Sequence, residues 1–300
     1  VPKNIRVYCR IRPLLTREFA GRDYRCVLRA VDAQTVVLDG VGEFLFDRAW
    51  GPGSQQDVFD DCSDLVDNAI AGGRGCILVL GQAGTGRTFT TFGHRGNEGL
   101  VPRVAKALFE RLPDPSRFSV TASFLEVHTH LSDLLDDDPL TDLRGWMSRG
   151  GMSEAKCACA DDLLDAVARG IQTSIVANTR GSRHRMMIIR VTHEVGTGKL
   201  VICDLAELYS EQHLRNPPWQ PVGVINETNM SLMALGEVTA SVLRGARRIP
   251  YIAHALTELL EDCLCQSSKA VFVVTCTPAS SGVEGTHQML SFASRYLNPC

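Results

Sequence analysis

The stretch Ile77-Leu78-Val79-Leu80-Gly81-Gln82-Ala83-Gly84-Thr85-Gly86-Arg87-Thr88 decides the fold. An apolar run of strand character enters a glycine-rich turn, and a hydroxyl residue then opens a segment of helical character. That is the setting of a GxxxxGK[ST] phosphate-binding loop. Glycines let successive backbone N–H groups converge on phosphate oxygens, and the following helix adds its positive end. Thr88 stands where a hydroxyl would ligate Mg2+, and Arg87 stands where the pattern has lysine. Lysine is a compact charge on a flexible stem, whereas arginine is a planar fork that needs more room. Arg87 can therefore keep an attraction for phosphate while misplacing the group to be transferred. On the loop alone, a glycine-rich turn that holds no nucleotide is the competing reading.

Outward from the loop, strand-like and helix-like segments alternate along the whole chain, which predicts α/β layering. Strands are expected at Ile5–Ile11, Val36–Leu38, Cys76–Leu80, Phe118–Val127, Met186–Val195, Leu200–Cys203 and Ala270–Thr275. Helices are expected over Asp57–Ile70, which ends at Gly72-Gly73, and over Val101–Leu112, Asp161–Gly170, Met230–Arg244 and Ala255–Leu264. No repeat or low-complexity linker divides the chain. Residues 1–300 therefore read as one domain, with Asp133–Asp142 and the Pro217-Pro218 region as surface loops.

A composition of 44% hydrophobic and 22% charged residues excludes disordered and collagen-like chains. Runs such as Cys76–Leu80 are far shorter than the roughly 20 residues of a membrane helix, and the N-terminus has no signal pattern. A formal net charge of −3 argues against a general nucleic-acid binder. Eleven cysteines, odd in number and irregular in spacing, make a poor disulfide framework and read as small core hydrophobes in a reducing compartment. The CxC pairs Cys157/Cys159 and Cys263/Cys265 lack the spacing of a zinc site. His128 and His130, two apart on one strand face, read as a polar pair and not as a metal site. Asp136-Asp137-Asp138 reads as a solvated loop.

The flanking segments resemble the kinesin motor domain, in order and over essentially the entire chain. Asn4-Ile5-Arg6-Val7-Tyr8-Cys9-Arg10-Ile11-Arg12-Pro13-Leu14 is similar to the family's opening strand, and Gly81–Thr90 (GQAGTGRTFT) to its GQTGSGKTYT. Phe46-Asp47-Arg48 with Ser54-Gln55, Gly99–Arg103, and Phe124–Val127 followed by Asp133-Leu134-Leu135 extend the series. Asn178–Arg185 (NTRGSRHR) resembles the first switch, NxxSSRSH, and Asp204-Leu205-Ala206 opens the second, DLAGSE. Asn229–Gly236, Ile249-Pro250-Tyr251, Leu256-Thr257, Ser267-Ser268-Lys269 and Ser291–Ser294 complete it. The resemblance implies a three-layer α-β-α fold of the phosphate-loop NTPase class, with a central mixed sheet and helices on both faces. The opening and the ending FASRYLNPC are most similar to the C-terminal-motor, minus-end-directed subfamily, in which a coiled-coil neck precedes the motor.

Carried over residue by residue, the resemblance implies a base subsite at Arg10, Arg12 and Pro13, with Phe89 offering an aromatic face. It implies a phosphate cradle at Gly81, Gln82, Ala83, Gly84, Thr85, Gly86, Arg87 and Thr88, and Mg2+ on Thr88. Solvated charges at a strand end are the competing reading for Arg10 and Arg12. The implied cofactor is ATP or ADP with Mg2+. Ser182, Arg183 and Asp204 match catalytic positions of the two switches. The departures are several: Arg87 replaces lysine, Gly181 replaces a serine, and His184-Arg185 replaces serine and histidine. Glu207 falls where the second switch has its phosphate-sensing glycine; the resemblance also implies an arginine–glutamate gate over the attacking water, whose glutamate Glu211 supplies only if two residues bulge out. A carboxylate about 4 Å from a terminal phosphate costs about 4 kcal/mol per charge pair at an effective dielectric near 20. Phosphoryl transfer works almost wholly by positioning and electrostatics, so little or no ATP turnover is expected.

Microtubules are acidic, and Arg244, Arg247 and Arg248 cluster in the loop that resembles the family's track contact. Arg180, Arg183, Arg185 and Arg190 form a second basic group. The family's PYRxSKLT reads Pro250–Thr257 (PYIAHALT), which replaces an arginine and a lysine with apolar residues, each worth about 1 kcal/mol or less. Ile252 and Ala255 are the alternative mark of an apolar interface. The expected protein is a microtubule-binding pseudo-motor of the cytoplasm and cytoskeleton, dimeric through a coiled coil outside this chain. The alternatives are a working ATP-driven motor and an interaction module that binds neither nucleotide nor track.

Overall fold

The computed structural model describes residues 3–19, 25–128, 131–136, 140–141, 151–176, 183–209 and 222–297. The chain opens with β1 (Ile5–Ile11) and the one-turn α1 (Thr16–Phe19). A small antiparallel sheet of β2 (Leu28–Ala30), β3 (Thr35–Leu38) and β4 (Gly42–Leu45) precedes β5 (Arg48–Trp50), α2 (Gln55–Asp60) and α3 (Asp64–Ile70). The strand β6 (Arg74–Gly81) leads through the glycine-rich loop to α4 (Arg87–Thr91), the hairpin of β7 (Gly93–His94) and β8 (Asn97–Glu98), and α5 (Leu100–Arg111). Then come β9 (Ser119–Val127), β10 (Leu131–Asp133), β11 (Leu140–Thr141), β12 (Ala155–Cys157), α6 (Ala160–Val176), β13 (His184–His193) and β14 (Gly196–Asp204). The described chain closes with α7 (Val222–Leu243), α8 (Ala255–Leu259), β15 (Lys269–Cys276) and α9 (Val283–Phe292).

The main sheet has the order β11-β10-β9-β13-β14-β6-β15-β1-β5, with β12 also on β9. From β14 to β5 neighbouring strands run parallel, and from β14 back to β11 they run antiparallel. Parallel strands are covered on both faces, which is why β6 reads as an unbroken apolar run. The two-residue strand period then divides its side chains. Cys76, Leu78 and Leu80 join Val7, Cys9, Phe272 and Val274 under α7, α8 and α9. Ile77 and Val79 join Tyr8, Val271 and Val273 under α2, α3, α5 and α6. The architecture is the three-layer α-β-α arrangement with a central mixed sheet.

Several boundaries differ from the sequence expectation: α7 begins at Val222 and not at Met230, and β14 begins at Gly196 and not at Leu200. The stretch Asp133–Asp142, read as a surface loop, carries the end of β10 and all of β11, with Asp133 and Leu134 buried because they pack against β9 and the core. The helix read over Asp57–Ile70 is two helices: Cys62 N donates to the Phe59 carbonyl at 2.9 Å, a tightened turn that tucks the Cys62 side chain into the core. Past Leu259 the chain leaves the helix read to Leu264, because Leu260, Cys263 and Leu264 are all buried there and the Leu264 carbonyl accepts from Tyr251 Oη at 2.7 Å. α6 runs through Gly170 to Val176: a Cβ on Gly170 would lie 2.2 Å from the ring of buried Phe124, so this glycine permits close packing and does not end the helix. Among the described residues, Cys9, Cys62, Cys76, Cys157, Cys203, Cys263 and Cys276 are buried and unbridged, while Cys26 and Cys159 are exposed. No helix of the described residues is long and apolar enough to cross a membrane.

Gly170→Ala tests the close packing. Helix propensity alone favours alanine by about 1 kcal/mol, whereas forcing a methyl into a filled core costs about 1–3 kcal/mol or more. We expect a lower urea midpoint for the variant; an unchanged or higher midpoint would contradict the packing.

Candidate functional site

The loop after β6 is built around two left-handed glycines, Gly84 (φ 73°) and Gly86 (φ 98°), a conformation in which a side chain is strained. Gly81 has no room for a Cβ, which would lie 2.2 Å from Thr275 Oγ1. Thr85 Oγ1 donates to the Gln82 carbonyl at 2.7 Å and lies 2.8 Å from Thr275 Oγ1, so β15 braces the turn. The Gln82 side chain lies against Gly285 of α9, and Ala83 and Gly84 are exposed at the turn's tip. Thr90 and Thr91 donate back to the carbonyls of Gly86 and Arg87 at 2.8 and 3.0 Å, which closes the first turn of α4.

Beside the loop is a cavity of about 340 Å3 lined by Arg10, Arg12, Pro13, Gly84, Phe89 and neighbours, the residues expected to form a base subsite. Neither arginine is a solvated strand-end charge. Arg10 is buried, donates to Gln55 Oε1 at 2.7 Å, to Thr90 Oγ1 at 2.8 Å and to the Gly53 carbonyl at 3.1 Å, and lies 5.5 Å over the Phe89 ring. Burial pulls its guanidinium down to about 10. Arg12 Nε donates to the Gly84 carbonyl at 2.7 Å, and its two Nη atoms grip Glu18 at 2.8 and 2.5 Å. Arg12 thus shapes the loop from behind while Glu18 holds Arg12. Sequence reasoning missed Glu18 and Gln55, although Gln55 was quoted as part of a motif.

On the phosphate side, Arg87 Nη1 donates to the Leu205 carbonyl, and Nη2 lies 3.6 Å from Glu207 Oε2, with the two side chains only 16% and 14% exposed. Thr88 Oγ1 donates to Asp204 Oδ2 at 2.8 Å. The other carboxylate oxygen, Asp204 Oδ1, is buried without a hydrogen bond among the described residues. Burial raises the Asp204 carboxyl above the usual carboxylate range, against the pull of Arg87, the Thr88 bond and Arg185. An exposed hydroxyl beside an unsatisfied carboxylate oxygen is a hard-oxygen pair that fits Mg2+ and its water shell. Thr88 and Asp204 would hold that ion, which would supply charge neutralisation at bound phosphate.

The first switch is only partly described: Ser182 and Arg180 lie outside the described residues, as do Glu211 and His130. Arg183 Nη1 is 3.1 Å from Glu126 Oε2 and Arg185 Nε 3.3 Å from Glu126 Oε1, which also accepts from Ser174 Oγ at 2.5 Å. Arg183 is thereby tied to β9, whereas Glu207 is tied to Arg87. The structure brings Arg87, Thr88 and Asp204 together and places Arg183 in a separate ion cluster. His184, unremarked in the sequence except as a departure, links three elements. Its Nδ1 accepts from Ala206 N at 3.1 Å and its Nε2 faces Ser231 Oγ at 2.7 Å, which in turn donates to the Thr228 carbonyl at 2.6 Å. That chain of donors fixes the neutral imidazole with its proton on Nε2. Burial, with His254, His128 and Arg87 nearby, pushes His184 down to about 3.

The outward face near α7 carries the expected basic cluster: Arg244, Arg247 and Arg248 are all exposed. The second basic group is different. Arg183 and Arg185 share the single carboxylate of Glu126, and Arg190 pairs with Glu154 at 2.7 Å, so most of that charge is engaged within the domain. Of the two apolar replacements, Ile252 is 88% exposed whereas Ala255 packs against the core. His254 caps α8 through Leu256 N at 3.0 Å and reaches Glu227 of α7 at 3.1 Å.

The strand, the glycine-rich loop and the helix-flanked mixed sheet define an α/β domain of the phosphate-loop NTPase fold. The family profile of the kinesin motor domain matches residues 10–298, and the chain belongs to that family. It is similar to Kinesin-like protein KIN-14E of Arabidopsis thaliana, 32% identical over 320 residues that cover 97% of this chain and 25% of that protein. It is equally similar to Kinesin-like protein KIN-14E of Oryza sativa subsp. japonica, 32% over 323 residues, 97% of this chain and 30% of that protein. These KIN-14 relatives are of the C-terminal-motor group that the chain's two ends resemble. The chain thus spans about a quarter to a third of the length of these curated relatives. A solved structure titled "Structure of a fast kinesin: Implications for ATPase mechanism and interactions with microtubules" superposes with a TM-score of 0.84 over 98% of this chain and 91% of that chain, at 23% identity, a likeness of fold.

The His184 environment has a pH consequence. Its folded-state pKa is depressed, so the unfolded chain binds the extra proton between pH 6.5 and about 3. Its contribution is present above pH 6.5 and is lost as pH falls, at up to about 1.4 kcal/mol per unit. Urea unfolding at pH 6.5 and 5.5 should show that loss, and His184→Gln should flatten it; an equal slope in the two proteins would contradict the assignment.

Proposed function

We propose that this domain is a microtubule-binding kinesin-type pseudo-motor that turns over little or no ATP. The observation that carries the reading is the Arg87 side chain. In a phosphate loop this position reaches toward the β- and γ-phosphates, and here its fork is spent on the Leu205 carbonyl and Glu207. A terminal phosphate would meet a cation already neutralised and a second anion beside it. Arg183, bound to Glu126, is likewise engaged away from Glu207. Positioning and electrostatics are the substance of phosphoryl transfer, so the loss falls on the chemical step. The base cavity and the Thr88–Asp204 pair support retained binding of nucleotide with Mg2+.

Track binding rests on the family and on the exposed Arg244, Arg247 and Arg248, which suit an acidic filament. Dimerisation through a coiled-coil neck and a place on the cytoskeleton follow from the subfamily resemblance.

ATP hydrolysis with and without microtubules tests the reading: the expected result is no stimulation, and clear stimulation would refute it. Arg87→Lys with Glu207→Gly should raise turnover together, and neither change alone should, since each single change leaves one half of the pair in place. Co-sedimentation of the Arg244/Arg247/Arg248→Ala variant should show affinity reduced roughly tenfold at low salt, with a smaller difference as salt screens the contacts.

A further inference from the structure

The two halves of the pocket are in different states. The base side is open, a cavity of about 340 Å3 walled by Arg10, Arg12, Pro13 and Phe89, with its arginines braced by Gln55, Thr90 and Glu18. The loop glycines keep the left-handed geometry of a phosphate cradle, and Thr88 with Asp204 keeps an oxygen pair suited to Mg2+. The far end is closed. Glu207 Oε2 lies 3.6 Å from Arg87 Nη2, at the cation whose sequence position serves the terminal phosphate, and both side chains are largely shielded from water. A carboxylate and a phosphate present the same thing to a guanidinium, a planar pair of anionic oxygens that the fork can grip.

We infer that the Glu207 carboxylate takes the place of a terminal phosphate against Arg87, so that the pocket accepts a nucleoside diphosphate and discriminates against the triphosphate. The inference deepens the pseudo-motor reading and rests on the same Arg87 contact. A diphosphate uses the base cavity, the loop and the Thr88 side, and shares only Arg87 with Glu207. A triphosphate adds an anionic group at the one point where the chain has already supplied one. It must either displace Glu207 from Arg87, leaving a carboxylate poorly hydrated, or lie beside it, with like charges facing each other in a site of low water content. Mg2+ held by Thr88 and Asp204 screens both ligands and so narrows the difference without reversing it. The preference therefore originates in the protein's own charge and disappears when that charge is removed.

Isothermal titration of the purified chain with Mg·ADP, Mg·ATP and a non-hydrolysable triphosphate analogue tests this. The expected result is ADP bound at least roughly tenfold more tightly than either triphosphate, with the ratio falling toward one in Glu207→Gln, which removes the charge and keeps the shape. Because that variant leaves Arg87 without its anion, Glu207→Ala, which removes charge and carboxyl together, is measured alongside it with thermal melting as a check on folding, and it should likewise narrow the ratio. Equal or tighter binding of the triphosphate by the unaltered chain, a ratio unmoved in both variants, or no binding of either nucleotide would each overturn the inference. The last outcome leaves the absence of turnover standing. Microtubule-stimulated hydrolysis alongside a clear diphosphate preference would instead refute the pseudo-motor reading and leave this inference supported.

Discussion

The pairing of β6 with β14 is the constraint from which the pocket follows. Val79 lies opposite Asp204 in parallel register, and one residue on, Leu205 N donates to the Val79 carbonyl at 2.9 Å. That alignment brings the ends of two strands level. The loop after β6 and the segment after β14 then leave the sheet side by side, so that Thr88 reaches Asp204 across 116 residues of chain. Arg87 and Glu207 meet for the same reason. The register is held by strands whose side chains are buried on both faces, and slipping it by one residue would turn each strand's core set onto the opposite face.

Within that frame the substitutions are coupled. A shielded glutamate without a partner is costly, and so is a shielded arginine, whereas the two together satisfy most of each other's charge. Arginine is suited to this because its fork serves a backbone carbonyl and a carboxylate at once, which a lysine ammonium on a shorter reach does less well. The pocket is therefore internally consistent as a closed electrostatic unit. Glu126 with Arg183 and Arg185 forms a second such unit one strand pair away, and His184 stitches the two to α7 through neutral hydrogen bonds. Arg87, Arg183 and Arg185 are thus each engaged by a carboxylate of the chain itself.

Much of this was legible in advance. The strands Ile5–Ile11, Cys76–Leu80 and Ala270–Thr275 announce themselves as apolar runs because strands covered on both faces have no polar side to show. The glycine-rich loop was legible because Gly84 and Gly86 occupy a conformation that few other residues tolerate. The break at Cys62 was not, since the periodicity of α2 and α3 is nearly continuous and only burial against Tyr8 interrupts it. Gly170 misled for a related reason: a glycine that ends a helix and one that admits a phenyl ring look alike until the ring is in place. Arg10, Arg12, Pro13 and Phe89, expected together from the sequence, line one cavity, yet the reading of Arg10 and Arg12 as solvated charges had no access to Gln55, Thr90 and Glu18.

By itself the amino-acid order determined the class of fold, the position of the phosphate loop and the family, because each of these rests on local spacing: alternation within a strand, glycine at a turn, motifs in succession. It also showed that Arg87 and Glu207 depart from the family pattern. Only the tertiary structure decided that these two departures meet, that Arg183 belongs to Glu126, and that Ile252 faces outward while Ala255 does not. The reason is that ion pairing depends on distance in space, and two side chains far apart along the chain become neighbours only through the register of the strands that carry them.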